Sequence, residues 1–339
     1  MIGDSQPAPL SGVLGGGVLK ADDYARFLSR EYIAAYLPGG GAAVKVAVMG
    51  DGGAADRFES ALSAAATEHG GLHVVISAES VRVHMVDQIF FAVSRAVDWE
   101  TIAAAHVRAA YAEAAFPAPE GASLSVTEVA RHHQIDSREL YRSVRRILER
   151  SLLANSAVAT EMGRAILRLA QAQLGAGDID AAEHAAVLGW LHGELRSISA
   201  LRSALIYSRI SRHNARAMFA STAALLLASG CRGLVVQLNL DRLAEARRPP
   251  ADARSGVYYS KVTVLDAYEV LRQFIDATDD LRGVLIVAVV PPDLMTDETR
   301  GLAAYTALQL RVADEVRDRR RANPFAALVR LEVRLEAVA

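Results

Sequence analysis

Hydrophobic and polar residues along the chain switch between a helical spacing and short, continuous apolar runs. The first segment, "DYARFLSREYIAAYL" at residues 23–37, has apolar residues at helical intervals and ends at a proline and three glycines. This pattern predicts a helix with a defined end. A strand is predicted at Ala43 to Met49, a helix at Ala54 to His69, and a second strand in "LHVVISA".

The remainder of the chain adds a long helical region and more strands. From Asp98 to about Leu227 the sequence is alanine-rich and helical, and the apolar runs "GLVVQLNL", "GVLIVAVV" and "ALVRLEVRL" follow it. Continuous apolar strands between helices are typical of a mostly parallel sheet with both faces covered. We therefore predict an α/β fold with a large helical insertion. Four parts are predicted: a flexible arm at 1–22, the first part of the core at 23–98, the insertion at 99–228 and the second part of the core at 229–339.

Composition and charge narrow the class of protein. Hydrophobic residues make up 52% of the 339 positions, which is enough for a sizeable core. The 37 Lys and Arg are balanced by 39 Asp and Glu, so a contact with nucleic acid needs a local basic patch. The single cysteine, Cys231, excludes a disulfide framework, and no Cys/His cluster suggests a metal site. Neither a signal-peptide pattern nor an apolar run of about 18 residues is present, so we expect a cytoplasmic protein without membrane contact.

The stretch "VAVMGDGGAADRF" at residues 46–58 has the layout of a phosphate-binding loop, with a strand, glycines and then a helix. A Walker A loop reads G-x-x-x-x-G-K-[ST]; its backbone amides surround phosphates, its Lys neutralises them and its hydroxyl holds magnesium. Gly50 matches the first glycine of this pattern. Ala55 stands for the second glycine, Asp56 for the lysine and Arg57 for the Ser or Thr. Three of the four signature positions therefore differ.

The acidic residue at the lysine position has the largest effect on phosphate binding. Unit charges about 5 Å apart interact by roughly 3 kcal/mol at an effective dielectric near 20, so reversing the sign costs about 6 kcal/mol. Arg57 could supply a cation instead, but the next residue on a helix points about 100° away. From the residues alone, the stretch is either a plain glycine turn or a decayed P-loop.

Several segments in the second half carry a resemblance to a known family. They are "LGWLHGE" (188–194), "SRISRHNARAMFASTAALLLASGCRGLVVQLNLDRL" (208–243), "AYEVLRQFID" (267–276), "VAVVPPDLMTDETRGLAAYTALQLR" (287–311) and "NPFAALVRL" (323–331). In this order they resemble the P-loop ATP-binding protein family of bacterial BREX phage-defence systems, BrxD-like, over about residues 24–333. The resemblance implies a P-loop NTPase core of the AAA/STAND type. It also implies a Walker B strand ending near 239, and a sensor strand ending near 290.

The chain departs from this family pattern where the chemistry is expected. The family ends its Walker B strand with Asp-Glu, the Asp for magnesium and the Glu for the attacking water, whereas Asn239 and Leu240 stand here. Asp241 comes one residue late and, within a strand, points to the other face. The family's sensor Thr-Pro is replaced by Pro291 and Pro292. The resemblance thus indicates an NTPase-dead member, for which ATP and magnesium are not expected to be cofactors.

Two arginine-containing features are candidates for contacts with partners. Arg311, at the end of "AAYTALQLR", resembles the arginine of the family's post-sensor helix. It is either an interface arginine that reaches a neighbouring subunit's nucleotide or part of an ordinary surface salt bridge. The segment at 125–150 resembles a helix-turn-helix, and the alternative is an αα-hairpin within the helical bundle. Its candidate DNA-binding residues are Arg142, Arg145 and Arg146.

Adjacent His132 and His133 face different directions on a helix and make a poor metal pair.

The expected function is a catalytically inactive, structural or regulatory ATPase-like subunit. Its expected partners are copies of itself or an active paralogous P-loop ATPase, with double-stranded DNA as a further possibility in a defence assembly. One alternative is a slow ATPase that uses Gly50, Gly53 and Arg57. The other is a DNA-binding regulator that acts through 125–150.

Overall fold

The computed structural model of the chain describes residues 17–50, 52–177, 179–247, 250, 255–313 and 322–332. The chain divides into two compact units. Unit 1 combines residues 1–89 and 232–339, and unit 2 consists of residues 90–231. Unit 2 contains the region predicted as a helical insertion. Of the predicted N-terminal arm, residues 1–16 lie outside the described part, and the first strand and helix begin at Leu19 and Ala21.

Unit 1 is built on a six-stranded sheet in which every pairing is parallel, in the order β1-β6-β2-β5-β4-β3. Its strands are β1 (Leu19–Lys20), β2 (Ala42–Val48), β3 (Leu72–Ser77), β4 (Leu234–Asn239), β5 (Val284–Val290) and β6 (Leu328–Glu332). All seven residues of β5 are buried, as expected for a central strand with both faces covered. The fold is therefore α/β with a P-loop NTPase-like core, as predicted.

The helices of unit 1 cover this sheet. They are α1 (Ala21–Phe27), which continues into a π-helix (Leu28–Tyr36), α2 (Gly52–Glu68), α10 (Lys261–Asp276), α11 (Asp293–Thr296) and α12 (Thr306–Val312). One hydrophobic cluster joins α1, the π-helix and α2 to alternate residues of the central strands. Within it the ring of Tyr24 stacks on that of Phe58, with centroids 6.2 Å apart. Such burial of apolar area is the main force that holds helices on a sheet.

The described residues of unit 2 form helices and the loops that connect them, without a strand. Helix α3 (Val86–Ala96) begins in unit 1 and ends in unit 2, followed by α4 (Trp99–Glu113), α5 (Val126–His133), α6 (Ser137–Leu153), α7 (Thr160–Gln173), α8 (Ala181–Leu191) and α9 (Ala215–Ala228). Helices α4, α6 and α7 pack against one another. A stripe of apolar side chains on α6 faces this packing, with four buried members: Leu140, Val144, Leu148 and Leu152. In the described part of the chain, no helix combines the length and apolar character that a membrane span requires.

Candidate functional site

The predicted chemical positions meet at one edge of the sheet, where β2, β5 and β4 end. Val48 is in register with Val290, and Asn239 is in register with Val289. Hydrogen bonds continue just past the strands, since the amide of Met49 donates to the carbonyl of Val290 at 3.0 Å. Because parallel strands present their carboxyl ends to the same side, the residues that follow these three strands are neighbours. Ligands of open α/β sheets bind at such an edge.

The glycine turn between β2 and α2 is short. Strand β2 ends at Val48 and α2 begins at Gly52, so the connection consists of residues 49–51, of which Asp51 lies outside the described part. The predicted helix start at Ala54 is therefore wrong by two residues, because both glycines after Asp51 belong to the helix. Amides in the first helical turn need no intrahelical partner, which makes glycine tolerable there.

The side chains assigned to the lysine and hydroxyl positions lie on the helix itself. Asp56 and Arg57 are the fifth and sixth residues of α2, and both are exposed. In a Walker A loop these positions close a loop of several residues around the phosphates. In this chain Gly53 is the second residue of α2, and Ala55 also belongs to the first turn of that helix.

The sensor position lies directly against the glycine turn. A Cβ atom built on Gly50 would stand 3.2 Å from Cγ of Pro292, which is a tight contact. Pro292 also precedes the first residue of the short helix α11. The ring of Pro292 therefore occupies the space beside the first glycine of the pattern, and neither Pro291 nor Pro292 brings a hydrogen-bond donor to this edge.

The end of β4 lacks the acidic pair of a Walker B strand. Leu240 is 1% exposed, and its amide donates to the carbonyl of Val289 at 2.9 Å. Asp241 is not part of the strand, contrary to the prediction that it points to the other face of one. The strand ends at Asn239, and Asp241 begins a 3-10 turn (Asp241–Ala244), where it is exposed.

A polar cluster between α2 and β4 was missed by the sequence analysis. Glu59 of α2 accepts hydrogen bonds through Oε2 from the side-chain amides of Asn239, at 3.3 Å, and Gln237, at 3.4 Å. Gln237 is fully buried and also donates to Oδ1 of Asn239 at 2.8 Å. Burial lowers the pKa of the neighbouring His73, and the nearby carboxylate of Glu59 partly opposes this effect. The signal in the sequence was Gln237 itself, a polar residue inside an apolar strand.

Arg311 lies on α12 and is paired within its own chain. Its guanidinium donates to both carboxylate oxygens of Asp276 on α10, at 2.7 and 3.2 Å. Asp276 also pairs with Arg272, and these two arginines lower its pKa, Arg311 more strongly. A contact of Arg311 with a neighbouring subunit would have to compete with this bidentate pair.

The helix-turn-helix candidate consists of α5, a three-residue turn and α6. Arg142 and Arg146 are exposed on α6, while Arg145 forms a salt bridge with Glu149 at 2.9 Å. Arg138, one turn before Arg142, is also exposed and was not among the predicted candidates. On α5, Nε2 of His133 lies 2.9 Å from the carbonyl oxygen of Pro117. Among the described residues, no group of His, Cys, Asp and Glu side chains is placed to hold a metal ion.

The model of the family described as BREX system ATP-binding protein BrxC/D matches residues 122–336. This chain belongs to the BrxC/D family. The match covers more than half of the chain and includes β4, β5, β6 and the α5–α6 pair, whereas β2 and the glycine turn precede it. Comparisons with curated proteins and with solved structures give no match. Membership in BrxC/D establishes an ATPase-like fold and a phage-defence setting, and agrees with the resemblance seen in the sequence.

Proposed function

We propose that this BrxC/D chain is an ATPase-like subunit without nucleotide chemistry that serves a structural or regulatory role in its defence assembly. The observation that carries the proposal is the end of β4, where a buried leucine, Leu240, takes the place of the residue that orients the attacking water. Phosphoryl transfer depends on positioning and on charge neutralisation, and an alkyl side chain supplies neither.

The residues at the sheet edge do not fit magnesium and a triphosphate. The connection from β2 to α2 is too short to surround phosphates, and Asp56 places a negative charge on the first turns of the helix. Pro292 fills the space beside Gly50. The side-chain amide of Asn239 accepts a hydrogen bond from Gln237 and donates one to Glu59, so both of its polar atoms already have partners within the chain.

The chain has the ATPase-like fold without the residues that would bind and hydrolyse nucleotide, and this combination favours a role in assembly. The parallel sheet keeps a P-loop NTPase-like core, while the positions expected to carry the chemistry are replaced. We propose that the chain associates with copies of itself or with an active paralogous ATPase. Arg311 is the candidate contact, on condition that a partner's phosphate or carboxylate replaces Asp276.

Isothermal titration calorimetry of the purified chain with Mg-ATP tests the loss of nucleotide binding. We expect no saturable heat up to millimolar ATP, because the repulsion at Asp56 is not offset by a lysine. The slow-ATPase alternative predicts saturable binding that Arg57→Ala weakens at least tenfold. Arg26→Ala, which removes an exposed arginine from α1, is the matched control.

A phage-protection assay gives the second readout of the same proposal. In cells that lack the chain, wild type and Arg57→Ala should restore protection equally, since neither depends on nucleotide turnover. Two results together would contradict the inactive subunit and support the slow ATPase: saturable ATP binding by wild type, and loss of phage protection in the Arg57→Ala variant but not in the Arg26→Ala variant.

A further inference from the structure

We propose that duplex DNA binds to the α5–α6 pair of unit 2, with the N-terminal half of α6 in the major groove. DNA binding at this surface is independent of whether ATP binds at the sheet edge. Three features support it: the geometry of the turn, the packing that leaves one face of α6 exposed, and the charges along that face.

The turn between α5 and α6 is compact and sharply defined. Gln134 ends α5 in the left-handed conformation, with φ of 56°, and the amide of Ile135 donates to the carbonyl of Ala130 at 3.0 Å. Asp136 then begins α6 by accepting a hydrogen bond from the amide of Glu139 at 2.9 Å. A short helix, a three-residue turn and a longer helix with a capped start are the parts of a DNA-binding helix-turn-helix.

Packing inside unit 2 fixes which side of α6 is available. The apolar stripe from Leu140 to Leu152 is buried, and α6 packs on α4, α5 and α7. Val129 and Ala130 are buried on α5, so the shorter helix is held in the same core. The opposite side of α6 is exposed, and it carries most of the charged residues of that helix.

The charges on the exposed side are mostly positive. Helix α6 contains five arginines and two glutamates: Arg138, Arg142, Arg145, Arg146, Arg150, Glu139 and Glu149. Two of the arginines are neutralised, Arg145 by Glu149 and Arg150 by Glu113 of α4. Within the described part of the chain, the other three have no carboxylate in salt-bridge distance, and all three are exposed.

These three arginines form a stripe along one side of the helix. Arg138, Arg142 and Arg146 are spaced by four residues, so the stripe rises about 6 Å per step and spans about 12 Å. Arg138 and Arg142 lie in the first half of α6, the part of a recognition helix that meets base edges. A guanidinium fork there can donate two hydrogen bonds to guanine, and Arg146 can reach phosphate.

Duplex DNA fits this stripe better than the other polyanions. Duplex RNA has a deep, narrow major groove that does not admit a helix. Single-stranded nucleic acid is bound through aromatic platforms, whereas the exposed charged side of α6 carries arginines. The chain as a whole has a net charge of −2, so the attraction is confined to this local surface.

Fluorescence anisotropy with a labelled, mixed-sequence 30-base-pair duplex tests the proposal in the full chain, without nucleotide. We expect wild type to bind with an affinity that falls steeply between 50 and 200 mM KCl. The double variant Arg138→Ala/Arg142→Ala should weaken binding at least tenfold, and Arg146→Ala, at the phosphate contact, should lower the salt slope by about 1. Circular dichroism checks that both variants remain folded.

The matched control is Arg95→Ala/Arg196→Ala, which removes two exposed positive charges from unit 2 outside α5 and α6. We expect it to bind the duplex as wild type does. Equal affinity and equal salt slope for the two double variants would overturn the proposal, as would the absence of duplex binding by wild type at 50 mM KCl. Full competition by duplex RNA at equal concentration would also overturn it, because that outcome excludes the major groove.

Discussion

At the scale of residues, an ion-pair network joins α10 to α12 around Glu269. Its carboxylate accepts two hydrogen bonds from Arg272, at 2.7 and 2.6 Å, and one from the hydroxyl of Tyr305 at 2.5 Å. Arg272 is the main reason that the pKa of Glu269 falls to about 2, and Tyr305 contributes further. The network continues through Asp276 to Arg311, so one chain of contacts holds α12 against α10.

We predict that Tyr305→Phe lowers the free energy of unfolding by about 1 kcal/mol, since a hydrogen bond to a charged acceptor is lost at a partly exposed site. The pKa of Glu269 should rise at the same time. A carboxyl group with a lowered pKa stabilises the fold above its unfolded pKa and loses this effect as pH falls through the folded value. Denaturant titrations at pH 7 and at pH 2, near the folded pKa, measure the change, which should be smaller at pH 2.

Tyr36→Phe is the matched control, because Tyr36 lies in the π-helix and is exposed. It should leave the unfolding midpoint unchanged at both pH values. If Tyr305→Phe behaved in the same way, the hydroxyl of Tyr305 would contribute nothing to the network.

At the scale of elements, the turn between α5 and α6 is held in a backbone conformation that favours glycine. Gln134 has φ of 56°, in the left-handed region, where a side chain costs about 1 kcal/mol relative to glycine. The side chain of Gln134 is exposed. The cost is therefore borne by the backbone alone.

We predict that Gln134→Gly raises the thermal midpoint of unfolding by a few degrees, corresponding to about 1 kcal/mol. Gln134→Ala is the control, since it removes the same side chain but keeps the Cβ atom, and it should leave the midpoint nearly unchanged. Differential scanning calorimetry distinguishes them. A midpoint for the glycine variant at or below that of the alanine variant would contradict the left-handed turn.

Some helices and strands could be predicted from the sequence alone, and others could not. Apolar runs predicted β4 and β5 well, because a buried parallel strand is continuous in the sequence. The predicted start of α2 is two residues late, because glycine usually indicates a loop, whereas Gly52 lies in the first helical turn. The contact of Glu59 with Gln237 joins residues 178 positions apart, and no local pattern encodes such a pairing. Arg138 could have been found, because it stands four residues before Arg142.

At the scale of the whole molecule, three histidines share one effect on stability. Burial lowers the pKa of His73, His106 and His192, and for His106 burial is the only cause. Each binds a proton more readily after unfolding than in the folded chain. This difference leaves stability unchanged well above the ordinary pKa of 6.5 and lowers stability as pH falls below that value.

We predict that the thermal midpoint falls between pH 7.5 and pH 5, and that His106→Leu reduces this fall. His132→Leu, which replaces an exposed histidine on α5, should not. Thermal unfolding followed by circular dichroism at both pH values gives the comparison. An identical fall in wild type and in His106→Leu would show that His106 is accessible to protons in the folded chain.

Unit 2 lies in the sequence between the two parts of unit 1, so the paired strands of the sheet are synthesised far apart in time. Synthesis of β3 is complete at Ser77, but its partner β4 begins only at Leu234. The partners of β2, which are β5 and β6, are synthesised later still. Unit 2 is continuous in the chain, so it can complete its own core during this interval. At about 5–20 residues per second, the apolar strands β2 and β3 remain unpaired for on the order of ten seconds. During translation, these two strands are what a chaperone would have to shield.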